Sequence, residues 1–165
     1  MNFKTIKEVE EYINSTVNFY LNKHRSNWKF EWFNRKRVAG MCSPDVNTIN
    51  FSKVIFELNL SNEKFIINTV LHEVAHAVDW ELNGNIGHGP SWKKICLILG
   101  ISSERLIDPG SIILPGKHIY KCPSCDFTLT RNNRYKTADA ACPNCCKKYN
   151  SGIFSEKYLL YLVGS

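Results

Sequence analysis

His72-Glu73-Val74-Ala75-His76 stands inside the run Ser61 to Asn83, and its reading decides the fold. On a helix, residues four apart lie about 40° apart in azimuth and about 6 Å apart along the axis. Two imidazoles at that spacing reach one metal ion at roughly 2.0–2.1 Å. Glu73, one residue past the first histidine, approaches a water at the metal without binding the ion, and is placed to take that water's proton. The chain has 5 histidines in 165 residues, and random order yields roughly 0.009 such motifs, so chance is a poor explanation.

The run around the motif has helical periodicity. Phe65, Ile66, Val70, Val74, Ala77 and Val78 give it an apolar side. Ser61 is the expected N-cap, Glu63 suits the first turn, and Gly84 can close the helix in the left-handed conformation. A catalytic zinc has three protein ligands and one open position. Glu81 follows on the same helix, where the ligand-bearing face has turned away. His88 is the better third ligand: it comes 12 residues after His76, past the helix-breaking Asn83-Gly84-Asn85 and between Gly87 and Gly89. Pro90 to Leu99 then reads as a second, shorter helix.

Upstream, Thr5 to Lys23 reads as an amphipathic helix, with Thr5 and Glu8 spaced as a capping box. Trp28, Phe30 and Trp32 alternate with Lys29 and Glu31 as a half-buried strand does. Arg35 to Cys42 and Thr48 to Ser52 read as two more strands, joined by a turn at Ser43-Pro44-Asp45. Cys42 and Cys96 have no partner pattern and read as buried apolar residues.

Downstream, Asp108 to Gly116 is rich in proline and glycine and reads as a linker. Cys122-Pro-Ser-Cys125 and Cys142-Pro-Asn-Cys145 follow, 16 residues apart. Two such pairs match a four-thiolate zinc site, which leaves no open position and is therefore structural. Cys146 is an alternative to Cys145 as the fourth ligand. The strand-like pieces Phe127 to Arg131 and Arg134 to Thr137 flank a hairpin turn at Asn132-Asn133, and Lys157 to Val163 is apolar enough to pack back as a strand.

Of the formal charge of +6, residues 1–110 carry a net +1 and residues 111–165 a net +5. In that basic third, Lys121, Arg131, Arg134 and Lys136 interleave with Tyr120, Phe127 and Tyr135. Such a mixture suits single-stranded nucleic acid, with phosphates pairing and bases stacking; the competing reading of Phe127 and Tyr135 is the lobe's own core. Arg35 to Arg37 form a second basic cluster, equally well explained as a solvated turn. With 44% apolar residues the chain can bury a core, and no stretch approaches the length of a membrane span. The N-terminus has no apolar stretch of a secretory signal, and seven cysteines without one point to metal ligation in a reducing compartment. The expectation is an intracellular chain, cytoplasmic or DNA-associated, and monomeric.

His72-Glu73-x-x-His76-Ala77 followed by Gly87-His88-Gly89-Pro90-x-Trp92 resembles the SprT-like zinc metallopeptidases of the Spartan and germ-cell nuclear antigen type. A metzincin would carry its third histidine where this chain has Leu82. Val38-Ala39-Gly40-x-Cys42 and Ile49-x-Phe51-Ser52 resemble that family's β-hairpin ahead of the active-site helix, so the likeness runs from about Trp28 to Cys145. It implies an α+β, zincin-like metallopeptidase domain over residues 1–108, with an N-terminal helix, a small antiparallel sheet and the active-site helix. A linker over 109–116 and a small β zinc ribbon over 117–165 follow. It further implies two zinc ions, one catalytic on His72, His76 and His88 with Glu73 as the base, and one structural on Cys122, Cys125, Cys142 and Cys145. The implied substrates are DNA-bound or DNA-crosslinked proteins, with single-stranded or partly single-stranded DNA as partner. The alternatives are a nucleic-acid-binding zinc-ribbon module with a non-catalytic zincin-like domain, and a peptidase with no DNA role.

Overall fold

The first helix, α1 (Ile6–Tyr20), begins at a reciprocal cap. Thr5 Oγ1 accepts the Glu8 backbone N–H at 3.3 Å, and the Glu8 carboxylate accepts that of Thr5 at 3.4 Å. Val9, Ile13, Val17 and Leu21 are buried along one stripe. Each such side chain contributes about 1.5–3 kcal/mol when taken out of water, so packing rather than propensity holds α1 in place. The structure, a computed structural model, describes residues 3–22, 27–104, 110–112, 114–135 and 140–164. The expected helix end at Lys23 lies outside those residues. The chain divides into two compact units, Met1–Leu114 and Pro115–Ser165.

In the first unit, β1 (Lys29–Phe33), β2 (Gly40–Ser43) and β3 (Thr48–Ser52) form a sheet in the order β1-β3-β2. The expected antiparallel sheet is corrected to a mixed one. β2 and β3 are antiparallel, but β1 and β3 run parallel, with Lys29 opposite Thr48 and Phe33 opposite Ser52. The alternation that marks a strand reports which face is buried and is blind to direction. Here the hairpin from β2 through the 3-10 turn Pro44–Val46 and the left-handed Asn47 returns β3 into the middle of the sheet, alongside β1. The strand expected from Arg35 pairs only from Gly40 onward.

A short helix, α2 (Lys53–Leu58), was not expected; Ser52 Oγ caps it by accepting the Ile55 N–H at 3.2 Å. Its six residues are too few to show a period. The long helix α3 (Glu63–Asn83) is capped by Asn62 and not by Ser61: Asn62 Oδ1 accepts the Phe65 N–H at 3.1 Å. A backbone bond from Asn62 to the Asn59 carbonyl keeps Ser61 in the turn ahead of the helix. Gly84, at φ 65°, closes α3 as expected. Phe65, Ile66, Val70, Val74 and Ala77 pack with α1 and the sheet, while Ala75 packs with Trp92, Ile95 and Cys96 of α4 (Pro90–Ile98). α3 is therefore buried on two sides, which is why its polar Glu73 and Asp79 lie inside.

In the second unit, β4 (His118–Lys121) pairs antiparallel with both β5 (Thr128–Arg131) and β6 (Tyr161–Gly164). The tail thus packs back as expected. The described hairpin is β4–β5, with the first cysteine pair as its turn; Asn132 and Asn133 are bends after β5, and residues 136 and 137 of the strand expected to follow them lie outside the described residues. The second pair opens a helix, α5 (Pro143–Tyr149), within the lobe expected to be a small β zinc ribbon. Pro143 at the first helical position and the lysines of the last turn suit a helix better than a strand. Among the described residues no helix is long and apolar enough to cross a membrane.

Candidate functional site

α3 carries His72 and His76 one turn apart, and the loop before α4 brings His88 back to them. His88 Nε2 lies 3.1 Å from His76 Nε2 and 3.2 Å from His72 Nε2. A tetrahedral zinc with bonds of 2.0–2.1 Å holds its ligand atoms about 3.3–3.4 Å apart, so the three nitrogens fit the ion. The indole of Trp92, fully buried on α4, backs all three rings. It is stacked on His76 at 22° and 5.1 Å and meets His72 and His88 edge-on at 4.9 and 4.4 Å.

The returning loop is held from below. Asp79, three residues past His76 and 1% exposed, accepts bonds from Ser91 Oγ at 2.9 Å and Asn83 Nδ2 at 2.7 Å. Ser91 Oγ in turn accepts Asn85 Nδ2 at 3.1 Å.

Glu73 is 8% exposed, between the histidines in sequence but facing β2. Burial pushes its carboxyl up to about 7, against a downward pull from the Cys42 backbone N–H that bonds it. The strand approaches so closely that a Cβ on Gly40 would stand 2.6 Å from Glu73 Cγ. Cys42 is half-buried here and not fully buried as the sequence suggested; burial, then the neighbouring Glu73 charge, pushes its thiol up to about 12, so it is no nucleophile near neutrality. Histidines, carboxylate and strand line one open cleft of about 720 Å³. Glu81 is elsewhere: its Oε1 accepts the Trp28 indole N–H at 2.8 Å. Cys96 is buried as expected.

In the second unit the sulfurs of Cys122, Cys125, Cys142 and Cys145 converge, all within 4.8 Å of one another. Cys122 to Cys145 is 3.7 Å and Cys125 to Cys142 is 3.6 Å. A tetrahedral zinc with bonds of about 2.3 Å spaces sulfurs by about 3.8 Å, so this set also fits the ion. Cys146 is buried on α5 but is not among the converging sulfurs.

The basic residues are less gathered. Lys121 and Arg134 are exposed, Arg131 lies over the Tyr135 ring at 4.0 Å, and Lys136 lies outside the described residues. Tyr120, Phe127 and Tyr135 belong to the lobe's core, while Tyr149, Phe154 and Tyr161 are the exposed aromatics.

Three contributors escaped the sequence reading. Asp79 at three residues past His76 could have been found, since that spacing shares a helix flank. Trp92 was noted only as part of a motif. Gly40 too was noted only as part of a motif: it faces a residue 33 positions away, and no local pattern reports that contact.

A profile of the SprT-like family matches residues 7–107, the stretch that holds the sheet, Glu73 and all three histidines. The chain belongs to the SprT-like family. It is also similar to the germ cell nuclear acidic protein of Drosophila melanogaster, at 28% identity over 120 residues. That match covers 67% of this chain and 11% of the relative, so the chain spans a small part of that protein's length. Membership in the SprT-like family supports a metallopeptidase-type domain.

Proposed function

We propose that this SprT-like chain is a zinc-dependent endopeptidase that cuts proteins bound or crosslinked to DNA. One observation carries the reading: three converging imidazole nitrogens lie beside a buried carboxylate in a single open cleft. Zinc on His72, His76 and His88 would supply the Lewis acid that polarises the scissile carbonyl and acidifies a water.

The chain's own residues do the rest. Glu73 takes the attacking water's proton on a carboxylate oxygen and returns it to the leaving amine. Burial raises the carboxyl's hold on a proton, which suits a group that must keep it between the two transfers. The Cys42 N–H bonds the carboxylate and fixes its aim. Trp92 holds the imidazole planes and excludes water behind them. Cys122, Cys125, Cys142 and Cys145 would hold a second zinc whose closed sphere serves the fold of the lobe.

The DNA part rests on the net +5 of residues 111–165 and on exposed Lys121 and Arg134. Exposed Tyr149 beside Lys148 adds a stacking surface. A second reading, a nucleic-acid-binding module with a non-catalytic zincin-like domain, is favoured by that same charge alone; a buried carboxylate beside three imidazoles is superfluous in it. Proteolysis of one protein measured free and on single-stranded DNA tests the proposal. Faster cutting on DNA supports it, cutting indifferent to DNA leaves a plain peptidase, and binding without cutting favours the module.

A further inference from the structure

Asp79 is a carboxylate that is 1% exposed, with no cation paired to it among the described residues and two neutral donors on its oxygens. Burying an ionisable group costs several kcal/mol unless the surrounding bonds are good, so its place demands a reason. Packing does not supply one, since an apolar residue would fill α3 as well. The bonds themselves point to the reason. Asn83 Nδ2 bonds Oδ1 at the C-terminal end of α3, and Ser91 Oγ bonds Oδ2 from the second position of α4. Asn85 Nδ2 donates to the same Ser91 oxygen, which therefore both gives and accepts. Both ends of the segment that carries His88 are thereby tied to one carboxylate, on the helix that carries His72 and His76. Between the ties lie Gly84, Gly87 and Gly89. A loop so rich in glycine has many conformations to lose before His88 can meet the other two rings.

From this we infer that Asp79, acting through Ser91 and Asn85, is the positioning residue for the third metal ligand. It lowers the conformational cost of bringing His88 Nε2 to the two imidazoles of α3. It touches neither substrate nor metal. The inference rests on the proposed metal role of the three histidines, and it assigns a part to residues that the peptidase reading leaves unused. Groups that orient ligands typically change metal affinity by about 10–100-fold when removed.

The test is titration of the full chain with cobalt(II), whose visible absorption separates an imidazole site from a thiolate site. Ser91→Ala should weaken cobalt at the histidines by about 10–100-fold and leave the thiolate site unchanged. Ser91→Thr, which keeps the hydroxyl, should restore binding to within about twofold of the original chain. Asp79→Asn should match or exceed the loss in Ser91→Ala; if it does not fold, Ser91→Ala decides alone, because it removes one oxygen from a half-buried position that tolerates alanine. Equal cobalt affinity in Ser91→Ala and the original chain would overturn the inference, even if the thermal midpoint fell. An original chain that takes cobalt only on its thiolates would overturn it together with the peptidase reading, whereas normal binding unaffected by Ser91→Ala would overturn the inference alone.

Discussion

Gly40 on β2 and Glu73 on α3 meet with no room for a side chain between them. A Cβ at position 40 would lie 2.6 Å from Glu73 Cγ and 2.8 Å from its Oε1. Contacts under about 3 Å between such atoms are strongly repulsive, so Gly40→Ala must displace either the strand or the carboxylate. Because the Cys42 N–H on that strand also bonds Glu73, either movement spoils the aim of the base. A misplacement near 1 Å costs about 10²-fold in rate. Gly40→Ala should therefore lose about that much in kcat while still binding zinc at both sites, as kinetics and elemental analysis of one preparation would show.

Burial of Glu73 makes a prediction for the metal-free chain. Its folded carboxyl is raised to about 7, above its ordinary 4.5. A raised carboxyl contributes stability that is fully present below the ordinary value and lost as pH climbs through 7. Glutamine cannot ionise and escapes that loss. With the histidines emptied by chelator, Glu73→Gln should match the original chain near pH 4 and exceed it at pH 8 by up to about 3 kcal/mol. Denaturant melts at the two pH values check this; equal stability at pH 8 would mean that the carboxylate is better solvated than the fold indicates.

Much of this centre is written in local spacing. His72 and His76 share a helix face, and the glycines around His88 announce a returning loop. The pairs at Cys122 and Cys142 have a spacing whose meaning hardly depends on the rest of the chain. Strand direction was not legible, because Trp28, Phe30 and Trp32 alternate identically in a parallel or an antiparallel pair. Nor was the cap at Asn62, since Ser61 is as good a capping residue and a tertiary turn decides between them. Tyr120 and Tyr135 read as a stacking surface only until packing consumes them, with the Tyr120 hydroxyl accepting the Tyr135 N–H at 3.1 Å. Gly40 and Ser91 matter through contacts across the fold, which composition and periodicity do not encode.

The two metal sites should differ in lability. Three imidazoles leave a position open to solvent, whereas four thiolates close around the ion. Freshly purified protein should hold two zinc ions, and a mild chelator should remove one with little change in the helical signal of α1 and α3. A single zinc at the outset contradicts this.

DNA affinity should fall with salt, with a slope of roughly 0.7 per phosphate contacted on single strands. Replacing Lys121, Arg131 and Arg134 by Ala should flatten that slope by up to about 2 and leave both metals in place. An unchanged slope would move the contact to the face bearing Lys148 and Tyr149, and salt-independent binding would remove the DNA role.

The central claim is that Glu73 is the base of a zinc peptidase. It is tested most directly by assaying proteolysis of one preparation each of the original chain and Glu73→Gln, with zinc content measured on both. Two zinc ions in each, and a rate lower by about 10²–10⁴-fold in Glu73→Gln, is the expected result. Equal rates at equal zinc content would show that the carboxylate beside the three histidines is not the group that moves the proton.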